Sequence, residues 1–104
     1  MRELTKIELF NASSANTLKD AVGKELTVVA AGNKESADVE TGEKKNVCVI
    51  VDDTNEIYAG TSVTVANDVA DLVDMFPDNN VKICIEEKKG KKGNYCKIKL
   101  LEVL

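Results

Sequence analysis

The chain of 104 residues has no histidine and no tryptophan, a single proline (Pro77) and four aromatic rings: Phe10, Tyr58, Phe76 and Tyr95. Without imidazole, every catalytic triad or dyad that relies on histidine is excluded. The three cysteines, Cys48, Cys84 and Cys96, show no Cys-x-x-Cys spacing, so no zinc or copper set can be assembled from them. Their odd number, and the charges scattered through Met1–Phe10 where a signal peptide would be apolar, point to reduced thiols in a cytoplasmic protein. No apolar run approaches the roughly 20 residues that a membrane span requires. No glycine-rich phosphate loop is present either, because Gly90 and Gly93 lack the strand-to-helix setting such loops need. Asp52, Asp53 and Glu56 crowd together, but neighbours at a strand end face opposite ways, and a turn explains them better than a cation site. The reading is a non-catalytic protein with no cofactor.

What the sequence does have is segregated charge. The net charge is -4, yet Lys82–Lys99 holds seven lysines against Glu86 and Glu87, a local excess of five positive charges. Asp52–Asp78 holds seven acids and no base. Ordinary surface polarity mixes signs, whereas blocks of one sign describe an electrostatic binding face. Lysines on an edge strand also guard against sheet-to-sheet aggregation, which accounts for the hairpin but not for Lys34, Lys44 and Lys45.

Hydrophobic periodicity then gives the element order. Thr5–Phe10 reads equally as a short strand or as a helix through Leu4, Ile7 and Phe10, and Asn11–Asn16 as a polar linker. Asn16 can cap a turn or two of helix over Leu18–Val22, ended by Gly23. Leu26–Ala31 is a strand, Gly32–Asn46 a long polar loop, Val47–Val51 a second strand, and Ile57–Thr61 a third after a turn at Asp52–Asn55. In that pair Val47, Val49, Val51, Ile57 and Ala59 are expected inside, with Ile50 and Tyr58 outside. Val65, Val69, Leu72, Val73 and Phe76 recur at helical spacing between a Ser62 or Thr64 cap and Pro77, with Asp68, Asp71 and Asp74 on the solvated side. Two closing strands, Val81–Glu87 and Tyr95–Val103, are expected to pair Ile85 with Cys96, Ile83 with Ile98 and Val81 with Leu100. That register makes Gly90-Lys91 the turn and sets Lys82 against Lys99.

This order places the helix between the third and fourth of five strands, as in an OB-fold. The expectation is a mainly β, five-stranded closed barrel over residues 25–104, with residues 1–24 as an extension packed on it. In such barrels oligonucleotides cross strands two and three, between the loop joining strands one and two and the loop joining strands four and five. Here those loops carry Lys34, Lys44 and Lys45 on one side and Lys88, Lys89, Lys91 and Lys92 on the other. Tyr58 is expected between them, Tyr95 beside the second, and Lys82, Lys97 and Lys99 on the adjoining strand face.

The segment EIYAGTSVT (Glu56–Thr64), the helix after it and the hairpin KKGKKGNYCKIKL resemble small bacteriophage-type single-stranded-DNA-binding proteins. The resemblance implies coating of exposed DNA during replication or recombination. Two departures stand beside it: the chain ends in the strand LLEVL where bacterial relatives carry an acidic tail, and its aromatic rings are few. Single-stranded DNA, with RNA as a further polyanion, is therefore the expected partner. A non-catalytic interaction module using Asp68, Asp71 and Asp74 is the alternative, and a homo-oligomer is compatible with both.

Overall fold

The computed structural model describes residues 1–37 and 40–104. Two α-helices, α1 (Lys6–Asn11) and α2 (Val63–Met75), accompany six strands: β1 (Asn16–Thr17), β2 (Glu25–Ala37), β3 (Lys44–Asp52), β4 (Ile57–Gly60), β5 (Val81–Gly90) and β6 (Gly93–Val103). They form one mixed sheet in the order β1-β4-β3-β2-β5-β6. The expected closed five-stranded barrel is thus replaced by an open six-stranded sheet. The edge of β4 away from β3 is taken by β1 in parallel. At the other end, the Ile98 amide of β6 donates to an Asp68 carboxylate oxygen on α2 at 3.0 Å, so a helix side chain meets this edge of the sheet. Asp68 is accordingly half-buried and bound to the sheet instead of standing on the solvated side with Asp71 and Asp74.

The main core lies between the sheet and α2. Val65, Ala66, Val69 and Leu72 of the helix meet Val28, Ile50, Ile83 and Ile85 of the sheet, and Leu18 and Ala21 join the same cluster. Fully burying an aliphatic side chain of this size contributes roughly 1.5–3 kcal/mol. The helix starts where Ser62 Oγ accepts from the Val65 amide at 3.3 Å and stops at Phe76 ahead of Pro77. The Asn33 amide group donates to the Ala66 carbonyl at 3.0 Å, tying α2 to β2. The helical turn at Leu18–Ala21 is capped by Thr17 with Asp20, and not by Asn16.

The Gly32–Asn46 segment is not a long loop. β2 continues to Ala37 and pairs antiparallel with β3, placing Lys34 opposite Val47, Ser36 opposite Lys45 and Ala37 opposite Lys44. Asp38 and Val39, also within that expected loop, lie outside the described residues. This half of the hairpin runs past the core, so neither side of it needs apolar residues and the alternation that marks a half-buried strand is missing.

The run VCVIV is apolar throughout because β3 is covered on both faces. Cys48 and Ile50 look toward α2. Val49 and Val51, also fully buried, look the other way, where residues 2–12 cross the sheet. The Arg2 amide donates to the Val29 carbonyl at 3.0 Å, Lys34 Nζ donates to the Leu9 carbonyl at 2.7 Å, and Leu4 lies so close to Gly32 that an added Cβ would be 2.9 Å from its Cδ1. Ile50 and Tyr58, expected outside, are therefore inside. The ambiguous N-terminal segment resolves as helix because Thr5 and Glu8 form a reciprocal cap. Glu8 also receives both Arg2 guanidinium nitrogens at 2.7 Å, and chiefly for that reason its carboxyl is held down at about 2.

The closing hairpin has the expected faces with a different register. Ile85 stands opposite Ile98, Ile83 opposite Leu100, and Gly90 opposite Gly93. The turn is therefore Lys91-Lys92, and the positive backbone angle it needs falls on Gly93, at φ +118°. The shift relative to the expected pairing is two residues, which leaves every side chain on its assigned face. It also removes the anticipated like-charge contact, since Lys82 faces Glu102 and Lys99 faces Cys84.

Candidate nucleic-acid interface

On β5 and β6 the alternation that buries Ile83, Ile85 and Ile98 turns the residues between them outward. Register pairs Lys88 with Tyr95, Glu86 with Lys97, and Cys84 with Lys99, so one ring and three ammonium groups share the outer face of a two-stranded ribbon. Tyr95 is 40% exposed. Its ring lies against Gly90, where an added Cβ would come within 3.2 Å of Cδ1, Cε1 and the Gly93 carbonyl oxygen. Glycine at this position lets the ring lie over the backbone. Gly90→Ala is expected to tilt the ring, reducing oligo-dT affinity by about three- to tenfold out of the roughly 1–3 kcal/mol that one stacked base is worth. Fluorescence titration of Tyr95 with an unchanged circular dichroism spectrum is the check.

Glu86 sits among these lysines. It pairs with Lys88 Nζ at 3.0 Å and Lys99 Nζ at 4.0 Å, and the Lys88 hydrogen bond, ahead of the charges of Lys88 and Lys99, lowers its pKa. A shallow cleft of about 220 Å³ is lined by Glu86, Lys88, Lys97, Ile98 and Lys99. Lys97 reaches Asp68 at 3.5 Å. At the tip of the ribbon, Lys89 stands opposite Asn94 on the other face, and Lys91 and Lys92 form the exposed turn. Lys89, Lys91 and Lys92 enter none of the ion pairs among the described residues. Lys82, half-buried, faces Glu102 at the far end of the ribbon.

Other expected site residues lie elsewhere. Tyr58 is 6% exposed, opposite Ile50 and within the core, and burial pushes its phenol pKa up, with Asp52, Glu56 and Asp20 adding to the rise. It is not an outer-face platform. The ammonium group of Lys34 is spent on the Leu9 carbonyl. Lys44 and Lys45 are exposed near the end of the β2–β3 hairpin. β2 pairs with β5 only through Glu25–Val28, antiparallel, so the β2–β3 and β5–β6 hairpins leave that junction in opposite strand directions. The two lysine groups thus lie on different hairpins of the sheet. The wall of strands two and three, where an OB-type ligand would lie, is covered on its outer side by residues 2–12.

Two features of the site carried no sequence signal. Glu86 as a shared counter-ion depends on register, and Gly90 reads as a turn residue until Tyr95 is seen against it. Outside the site, the exposure of Phe10 on α1, at 80%, was equally unsignalled, because its segment fitted strand and helix alike.

An exposed ring within a cluster of lysines on one strand face is the chemistry of a surface that binds a polyanionic strand. Over residues 2–100 the chain matches the family model described as phage single-stranded DNA-binding protein, of the phi29 type, and it belongs to that family. It is a binding protein for single-stranded DNA in phage DNA replication, not an enzyme. No curated protein and no solved structure matches the chain. No helix among the described residues is long and apolar enough to cross a membrane.

Proposed function

We propose that the strand is held without regard to sequence on the outer face of β5–β6, with Tyr95 as the stacking platform and Lys88, Lys97, Lys99 and the tip lysines as phosphate contacts. The observation that carries this is the register that sets Tyr95 opposite Lys88 and beside Lys97 on one uncovered face. A π-face accepts any base, and an ammonium group accepts any phosphate, so nothing in the cluster discriminates sequence. Lys82 extends the same face toward the end of β6, while Lys44 and Lys45 offer a second basic point where a longer strand can pass. The succession β4-β3-β2-β5-β6 around the helix supports an OB-like ancestry in which the seam between the third and fifth strands has opened. The acidic-face alternative keeps Asp71 and Asp74 but loses Asp68, whose carboxylate is engaged by Ile98 and Lys97.

Because one tyrosine can stack only a base or two, most of the affinity must be ionic. Titrating labelled oligo-dT at several salt concentrations is expected to give a log–log slope of about -0.7 for each phosphate contact, near -4 for six lysines. A slope close to zero, or equal binding to double-stranded DNA of the same length, would overturn the assignment. Oligo-U in the same series measures how far RNA shares the site.

A further inference from the structure

A cleft of about 420 Å³ lies outside the β5–β6 face, lined by Lys45, Asn46, Thr61, Val63, Ala66 and Asn67. It forms where two strands part. β4 pairs with β3 only between Cys48 opposite Gly60 and Val51 opposite Ile57. The chain then leaves the sheet through Thr61 into α2, while β3 extends back to Lys44. Ala66 is buried, and Val63 is 75% exposed, an aliphatic side chain that the core does not use. Lys45, Asn46, Thr61 and Asn67 are exposed, and no hydrogen bond or ion pair among the described residues uses their side chains. Apolar walls with a few polar groups, in a space of roughly 300–1,000 Å³, are the usual form of a small-molecule subsite.

We propose that this cleft receives one nucleobase of the bound DNA strand, its ring against Val63 and Ala66, its edge on the amides of Asn46 and Asn67, and its phosphate on Lys45. An asparagine amide presents a donor beside an acceptor. The exposed Watson–Crick edge of every single-stranded base does the same, so the amide can turn to suit each one and no sequence is selected. A bare anion fits the cleft less well. Val63 and Ala66 offer phosphate nothing, and the Val65 amide at the start of α2 already donates to Ser62 Oγ. The inference rests on the single-strand reading above and adds a second point of hold to it. Asp68, next to Asn67 on α2, accepts from the Ile98 amide and lies 3.5 Å from Lys97 Nζ, so α2 links the cleft to the lysine ribbon. A strand leaving Tyr95 past Lys97 crosses α2 where the Asp68 charge is already countered.

A mononucleotide reads the cleft by itself. When the isotope-labelled full chain is titrated with dAMP to millimolar concentrations, the side-chain amide resonances of Asn46 and Asn67 are expected to shift together. Deoxyribose phosphate, which lacks the base, should leave them in place. Asn67→Leu puts a good helix former at an exposed helix position, so the circular dichroism spectrum should be unchanged while the Asn46 shift is lost. The same variant should weaken binding of an oligo-dT of about 16 nucleotides three- to tenfold and leave one of about 4 nucleotides unaffected, the two ends of the site sizes found for single-strand-binding folds. Val63→Asp, whose acid suits the first turn of a helix, should act in the same way by repelling the strand. Asparagine amides that stay in place at the highest dAMP concentration overturn the proposal. Equal shifts from deoxyribose phosphate do so too, since the cleft would then hold an anion and not a base, as does an Asn67→Leu loss that is the same for both oligonucleotides. Failure of the lysine-face reading would leave the dAMP titration untouched.

Discussion

Asp52→Ala is expected to remove about 2–4 kcal/mol of folding free energy and to lower the thermal midpoint by on the order of 10–20 °C. Asp52 is only 6% exposed, and its Oδ1 accepts from the Thr54 amide at 2.9 Å, the Thr54 hydroxyl at 2.7 Å and the Glu56 amide at 2.9 Å. Backbone bonds close the same turn: Asp52 donates to Glu56 at 3.1 Å, and the Asn55 amide donates to Asp52 at 3.1 Å. Asn55 takes the left-handed conformation the reversal needs, at φ +68°. Truncation strands three donors around a half-buried turn, and each unsatisfied donor costs roughly 1–3 kcal/mol before relaxation. Asp52→Asn keeps an acceptor in place and should cost less than half as much. Urea denaturation followed by circular dichroism measures both, and a loss below about 0.5 kcal/mol for Asp52→Ala would mean that water replaces the carboxylate freely. This turn sets the β3–β4 register that buries Tyr58 opposite Ile50, far from Tyr95, so the folded fraction should bind oligo-dT as the wild type does.

What could be read in advance follows from where elements meet the core. α2 was legible because Val65, Val69 and Leu72 repeat at helical spacing between Ser62 and Pro77. The faces of β5 and β6 were legible because Ile83, Ile85 and Ile98 alternate with lysines and Glu86. Their register was not, since an alternating pattern looks the same after a two-residue slip. Gly90 and Gly93 both suit a turn, and the choice between them rests on pairing along the whole ribbon, including the irregularity between Lys82 and Ile83.

The orientation of Tyr58 was hidden for a different reason. A strand covered on both faces has no alternation to declare which side is which, and the second cover is the N-terminal segment, whose docking on Gly32 and Val29 joins residues far apart in the chain. The outer half of the β2–β3 hairpin was hidden by the opposite condition, exposure on both faces. Candidate site residues sorted themselves accordingly. Those on the half-buried ribbon β5–β6 kept their predicted faces, Tyr58 did not, and Lys34, Lys44 and Lys45 fall on strands where a loop was expected.

That sorting gives the second large effect. Replacing Lys88, Lys89, Lys91 and Lys92 together by alanine is expected to weaken oligo-dT binding on the order of a hundredfold at low salt. The salt slope should fall by nearly 3, at about 0.7 per lost phosphate contact on a single strand. Lys44→Ala with Lys45→Ala, on the opposite hairpin, removes two charges of the same kind and should change the slope for a short oligonucleotide by less than 1. The contrast matters because, if binding depended only on net charge, the losses would simply scale with the charges removed, four against two. Stability should move little, since Lys89, Lys91 and Lys92 are exposed and enter no ion pair among the described residues. Lys88→Ala does leave Glu86 with one fewer cation, which sharpens the local repulsion of phosphate and adds to the loss at Tyr95. Equal losses from the two sets would place the strand along the whole sheet. A loss confined to Lys44 and Lys45 would move the interface to the β2–β3 hairpin and leave Tyr95 without a role.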